Sequence, residues 1–337
     1  MSVKDELQKT IEDMVDDRRG LLAADESTGT ITKRFEAAGI ESTEETRRRY
    51  RQMLMSADNV GDYISGIILY EETLTQKSDD GKPLPELVAS LGVVPGIKVD
   101  KGKGPLPGAE GDEITYGLDG LAERLREYKK QGARFTKWRE VYNITDRNPT
   151  ALGLKANAEM LARYAMVCQQ EGFVPIVEPE VLIDGDHTME RSEEVNREVL
   201  HSVFHALHEH GASLEHMILK PSMVTPGKEK GMAAPEAVAE ATLRVLRRTV
   251  PAAVPAIMFL SGGQTPEQAS ANLNAMNVNP AANPWHVGFS YARALQQPVM
   301  DTWKGNPDQV APAQKAFIKR AKLNTLARKG QYSADQE

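Results

Sequence analysis

The feature that most constrains this chain is an alternation: eight short apolar runs close on polar or glycine residues, most of them separated by a segment of helical period. The runs are 21–24, 64–70, 93–99, 133–137, 174–177, 217–219, 256–260 and 286–289. Between them lie stripes spaced as on one face of a helix, among them Met160, Leu161, Tyr164, Val167 and Cys168, then Val195, Val199, Val203 and Leu207. Ser42 to Glu45 reads as a capping box ahead of Tyr50, Met53 and Leu54. Pro266 marks a first helical turn before Ala269, Leu273 and Met276. Leu7, Ile11, Met14 and Val15 form an opening amphipathic helix, and Ala313 to Leu326 forms a closing one.

Strand and helix alternate from Gly20 to Leu326 with no visible linker, which predicts a closed (β/α)8 barrel rather than its competitor, an open sheet with two lobes. One barrel domain over 1–337 is expected, with an N-terminal helix, a C-terminal helical segment and a mobile tail at 331–337. The connection after Tyr70 is irregular, with a short helix near 86–90.

Charge narrows the partners. The 41 Lys and Arg against 48 Asp and Glu leave a net charge of −7, which argues against nucleic acid because phosphate binding needs a concentrated positive field. No apolar stretch is long enough to span a membrane, and the charged first twenty residues do not resemble an export signal. A single cysteine, Cys168, excludes an internal disulfide and fits a reducing cytoplasm.

In such a barrel the residues that finish each strand line the site. Here they are Asp25, Lys98, Lys137 with Arg139, Glu178 with Glu180, Lys220, Ser261-Gly262-Gly263, and Ser290 with Arg293. Each has a plainer reading: Asp25 as a helix cap, Lys137 and Arg139 as solvated edge charges, Glu178-Pro179-Glu180 as a turn, Ser261-Gly262-Gly263 as an ordinary connection. Lys220 is sharper, because it ends an apolar run and precedes Pro221. A neutral lysine attacks carbonyl carbon, and the resulting iminium withdraws electrons from an adjacent bond. Glu178 and Glu180 share one side of an extended segment, so Glu178 can shuttle protons while Glu180 holds a lysine; Asp25 adds a carboxylate across the barrel. His201, His205 and His208 lie at helical spacing but on an outer helix, where a polar face is expected rather than a metal site. The glycines around Lys101 and Lys103 match no nucleotide-binding loop.

Six segments in order closely resemble class I fructose-1,6-bisphosphate aldolases: 21–29 (LLAADESTG), 96–101 (GIKVDK), 175–180 (PIVEPE), 219–221 (LKP), 259–264 (FLSGGQ) and 290–295 (SYARAL). The resemblance implies a metal-independent, cofactor-free lyase that cleaves fructose 1,6-bisphosphate reversibly to dihydroxyacetone phosphate and glyceraldehyde 3-phosphate, in glycolysis, gluconeogenesis or the Calvin cycle. It implies a Schiff base on Lys220, acid and base work by Glu178, assistance by Lys137, the C4 hydroxyl handled by Asp25, and Glu180 holding Lys137. One phosphate would rest on Ser261, Gly262, Gly263 and Arg293 beside Ser290. The other would meet Ser27, Lys98 and Arg139, with Lys33 and Arg34 nearby. A homo-oligomer, a tetramer in the family, is implied. Ala292 stands where many relatives have glycine, Thr30 replaces a serine, and no residue after Tyr332 is aromatic, whereas animal relatives use a terminal tyrosine for a proton transfer. Cleavage of a seven-carbon bisphosphate, a transaldolase-like activity and a non-catalytic scaffold are the alternatives.

Overall fold

The structure is a computed structural model that describes residues 2–279 and 282–337. In chain order its elements begin α1 (Val3–Met14), β1 (Gly20–Ala24), α2 (Thr28–Ala37), α3 (Glu44–Met55), α4 (Val60–Tyr63) and β2 (Ile64–Leu69). Then come α5 (Glu71–Thr75), α6 (Leu84–Ser90), β3 (Val94–Lys98), a hairpin of β4 (Lys103–Pro105) and β5 (Glu113–Thr115), α7 (Leu121–Lys130), β6 (Phe135–Tyr142) and α8 (Ala151–Gln170). The rest are β7 (Val174–Val181), α9 (Met189–Glu209), β8 (Ile218–Leu219), α10 (Pro235–Thr249), β9 (Ala256–Phe259), α11 (Pro266–Met276), β10 (His286–Tyr291), α12 (Arg293–Trp303) and α13 (Val310–Arg328).

Eight strands close a parallel barrel in the order β1-β2-β3-β6-β7-β8-β9-β10, with β10 returning to β1. The fold is the expected (β/α)8 barrel. Two apolar regions hold it together. Outward-facing strand residues such as Trp138 pack beneath the helices, with the Trp138 and Tyr164 rings 5.5 Å apart. Inward-facing Leu21, Phe135, Ile176, Ile218 and Met258 fill the lower bore, where Leu7, Ile11 and Met14 of α1 cap them. The bore is tight enough that a Cβ on Gly96 would collide with the Phe135 ring. Helix α1 is fixed across the barrel floor, since Arg134 pairs with Asp13 at 2.8 Å and Ser65 Oγ donates to the Met14 carbonyl at 2.6 Å.

Four local expectations change. Strands β6 and β7 run on past Lys137 and Val177, because their polar residues alternate into the cavity while Thr136, Trp138, Glu140 and Tyr142 are buried on the outer face. Glu178-Pro179-Glu180 is therefore strand rather than turn; Pro179 lies beyond the last β7–β8 pair, Val177 with Leu219, where its missing N–H breaks no ladder. The α3 capping box belongs to Thr43 and Thr46, not Ser42, whose hydroxyl instead meets Thr32 Oγ1 at 2.7 Å. The terminal segment, expected to fray, is tethered: Tyr332 N–H donates to Asn274 Oδ1 at 2.9 Å, its hydroxyl donates to Glu337 Oε1 at 2.8 Å, and Glu337 pairs with buried Arg320.

Candidate active site

A cavity of about 580 Å³ opens at the carboxyl ends of the strands. Its centre holds two lysines and three carboxylates. Lys220 Nζ lies 3.1 Å from Glu178 Oε1. Lys137 Nζ lies 2.7 Å from Asp25 Oδ2, 3.4 Å from Glu178 Oε2 and 3.9 Å from Asp100 Oδ2. Lys137, Glu178 and Lys220 are each only 4% exposed. Local structure places them: Lys220 follows directly on two-residue β8, where its N–H donates to the Val177 carbonyl at 2.8 Å and Pro221 ends the strand. Asp25 follows β1 and is braced from behind, because the Arg51 guanidinium donates to the Glu26 carbonyl at 2.7 Å and Gln296 Nε2 donates to Glu26 Oε1 at 2.9 Å.

Alternating charges decide the protonation states. Burial works against the charge of Asp25, but Lys137, Lys220 and Lys98 hold its carboxyl well below the usual range. Burial likewise opposes the charge of Lys137, and Asp25, Glu178 and Asp100 overcome it, so this ammonium stays protonated. Glu178, opposed by burial and favoured by Lys220, Lys137 and Arg139, also sits below its ordinary value. The centre thus presents a carboxylate, Glu178, between two lysines.

The ends of the cavity are different. One is lined by Ser261, Gly262, Ser290, Ala292 and Arg293, where α12 begins. Gly262 and Gly263 have φ of 54° and 87°, a backbone that favours glycine. Ala292 has φ of −101°, outside the left-handed region that favours glycine. Ser290 Oγ is buried without a hydrogen-bond partner among the described residues. The other end is lined by Ser27, Thr30, Arg34, Lys98, Gly102, Lys103 and Arg139. Ser27 caps α2, accepting from the Thr30 N–H at 3.4 Å. Both ends combine cationic side chains with a helix start, the arrangement that binds phosphate.

Not every expected residue arrives. Lys33 is exposed on α2 and does not line the cavity, whereas a Cβ on Gly263 would lie 3.6 Å from the guanidinium of cavity-lining Arg293. Glu180, expected to hold Lys137, pairs instead with Arg139 at 2.5 Å. The register explains the exchange: Arg139 stands opposite Glu178 and Val141 opposite Glu180, so each glutamate reaches the cation one step below. His201, His205 and His208 are exposed on α9, and among the described residues no group of three His, Cys, Asp or Glu side chains could hold a metal ion. Sequence reasoning missed Asp100, which lies 3.3 Å from Lys98 and 3.9 Å from Lys137; its place two residues past Lys98, at the end of β3, was the available signal. It also missed Lys103 and Thr115, which the hairpin carries to the rim.

A closed (β/α)8 barrel with buried, alternating lysines and carboxylates in a rim cavity with cationic side chains at both ends defines a barrel enzyme suited to a doubly anionic substrate. The family model for fructose-bisphosphate aldolase class-I matches residues 6–337. Chloroplastic fructose-bisphosphate aldolase 3 of Arabidopsis thaliana is 53% identical, over 99% of this chain and 85% of its own. Human fructose-bisphosphate aldolase C is 52% identical, over 95% of this chain and 88% of its own. A structure of Plasmodium falciparum fructose-bisphosphate aldolase, in complex with TRAP and a small-molecule inhibitor, superposes with a TM-score of 0.96 at 48% identity, covering 98% of this chain and 96% of that one. The chain belongs to the class I fructose-bisphosphate aldolase family. It is a lyase that cleaves fructose 1,6-bisphosphate reversibly to dihydroxyacetone phosphate and glyceraldehyde 3-phosphate through a lysine Schiff base, a chemistry that is metal-independent.

Proposed function

We propose that Lys220 is the Schiff-base lysine and that Glu178, Lys137 and Asp25 move the protons of the cycle. The reading is carried by one observation, the unbroken chain Lys220–Glu178–Lys137–Asp25 with links of 3.1, 3.4 and 2.7 Å. Lys220 loses a proton to Glu178 and its nitrogen lone pair attacks C2 of the ketose, giving a carbinolamine whose oxygen the Lys137 ammonium stabilises. Glu178 gives its proton to that oxygen, takes a second from the carbinolamine nitrogen and passes it to the resulting hydroxyl, so that water leaves and the iminium forms. Asp25 takes the proton of the C4 hydroxyl; the C3–C4 electron pair flows into the iminium, leaving an enamine and releasing glyceraldehyde 3-phosphate. Protonation at C3 and hydrolysis of the iminium then free dihydroxyacetone phosphate and Lys220.

The Ser261, Gly262, Ser290 and Arg293 end takes the phosphate shared by the ketose and dihydroxyacetone phosphate, and the unpartnered Ser290 hydroxyl supports this. The Ser27, Arg34, Lys98, Lys103 and Arg139 end takes the other, with Glu180 orienting Arg139. Gly263 contributes through the turn, and Lys33 acts only as a distant charge. We further propose a homo-oligomer, for which the family likeness and exposed Tyr116 and Leu152 speak, and a cytoplasmic location, for which the lone buried thiol of Cys168 speaks. Relatives include both chloroplastic and cytosolic proteins.

Borohydride reduction in the presence of dihydroxyacetone phosphate tests the centre. The mass increment falls on the peptide containing Lys220 and disappears in Lys220→Met. An adduct on Lys137, or one that survives Lys220→Met, overturns the assignment.

A further inference from the structure

Glu140 is a buried carboxyl group that the reaction does not use. It is 0% exposed on the outer face of β6, between Trp138 and Tyr142, where a barrel strand ordinarily presents apolar side chains to the helices. A carboxyl group there is costly unless its oxygens are satisfied. Trp138 Nε1–H donates to Oε1 at 2.8 Å, and the backbone N–H of Thr115 donates to Oε2 at 3.1 Å. The first bond is local to the strand. The second reaches out of the barrel to β5, where Thr115 Oγ1 also donates to the Arg139 carbonyl at 2.7 Å. Through the β4–β5 pairing this joint fixes Lys103 opposite Thr115, and the loop closes on Asp100 through the Gly102 N–H at 3.4 Å. Gly102, Lys103 and Thr115 all line the cavity beside Lys98 and Arg139. At its far end the hairpin is tied separately, by Asp112 to Asn148 and Thr150.

We propose that Glu140 is a positioning residue: it docks the 103–115 hairpin on the barrel rim and thereby sets affinity for the phosphate carried by the aldehyde half of the substrate. The proposal rests on reading Lys98, Lys103 and Arg139 as that phosphate's site. Replacing Glu140 by alanine orphans two buried N–H groups and frees the cavity end of the hairpin, while the Lys220 centre on the opposite face of the strands keeps its geometry. Glutamine retains one acceptor and holds one of the two donors.

The experiment compares Glu140→Ala and Glu140→Gln with the parent by steady-state kinetics and by hydrogen–deuterium exchange. Alanine raises KM for fructose 1,6-bisphosphate about five- to tenfold, as expected for a buried donor left unpaired. Turnover changes less than about twofold and dihydroxyacetone phosphate affinity stays at the parent value, because only uniform binding of one half is lost. Glutamine recovers part of the loss, and exchange quickens across 101–117 but not in β6 or β7. Parent-like exchange in the hairpin of both variants, or an equal loss for dihydroxyacetone phosphate, overturns the inference. Arg139→Ala separates the underlying reading: an unchanged KM for fructose 1,6-bisphosphate there removes the phosphate site itself, whereas a raised KM there with parent-like Glu140 variants removes only the docking role.

Discussion

At the scale of single residues, the buried charges divide into those that reaction chemistry explains and those that impose a measurable cost on folding. Glu140 is of the second kind. Burial pushes its carboxyl up to about 7 from an ordinary 4.5, against the pull of its bonds from Trp138 and Thr115, and Asp100 adds to the rise. A carboxyl raised by folding binds its proton more tightly in the native state than in the unfolded one. Its contribution is therefore full below about pH 4.5 and is lost as pH rises through about 7. The loss is on the order of 3 kcal/mol when complete. Glu140→Gln cannot ionise, so its unfolding free energy relative to the parent should climb between about pH 5 and about pH 8. Urea denaturation at both ends of that range checks this, and a difference that does not vary with pH would refute it. Asp25 and Glu178 behave oppositely, since lysines depress both and their stabilisation is lost only as pH falls below the ordinary carboxylate range.

Among the elements, the strand ends were legible because a barrel exposes only its rim to substrate, so polar residues closing apolar runs mark the cavity lining in the sequence itself. Lys220 before Pro221 is the clearest case. What sequence could not supply was register, which pairs Glu180 with Arg139 and leaves Lys137 to Asp25 and Glu178. Nor could it place the β4–β5 hairpin, whose three-residue strands lie in a glycine-rich stretch without apolar alternation. The start of α12 shows how element and residue cooperate. Arg293 opens that helix, so a phosphate at this end meets both the helix N-terminus and a guanidinium fork. Arg293→Ala removes the fork and keeps the helix, a loss of about 1.5–3 kcal/mol for a charge-assisted contact. KM should rise for fructose 1,6-bisphosphate and the binding of dihydroxyacetone phosphate should weaken by a similar factor. An unchanged value for either ligand would show that the phosphate rests elsewhere.

For the molecule as a whole, a net charge of −7 coexists with a cavity whose two ends are cationic, so the field that draws a bisphosphate is local and the remaining surface is free to be acidic. The same separation bears on the enamine, which must take a proton at carbon after the aldehyde leaves. Tyr332 is the last aromatic residue of the sequence and the obvious donor by type. Its position argues otherwise. It lines a separate groove of about 1370 Å³ against α10 and α11, with its backbone on Asn274 and its hydroxyl on Glu337, which in turn pairs with Arg320. Burial and the Glu337 carboxylate push its phenol well above the usual value, which makes it a poorer acid. Glu178, by contrast, lies in the cavity 3.1 Å from the Lys220 amine and is linked through Lys137 to Asp25, which in the proposed cycle has just taken the proton of the C4 hydroxyl. Tyr332→Phe should therefore leave both cleavage and the exchange of the dihydroxyacetone phosphate α-proton with solvent at parent rates, whereas Glu178→Gln should suppress that exchange together with adduct formation. Exchange followed by NMR in deuterated buffer separates the two. If Tyr332→Phe abolishes exchange while the Lys220 adduct still forms, the phenol leaves its groove during turnover and the proton reaches the enamine from the end of the chain.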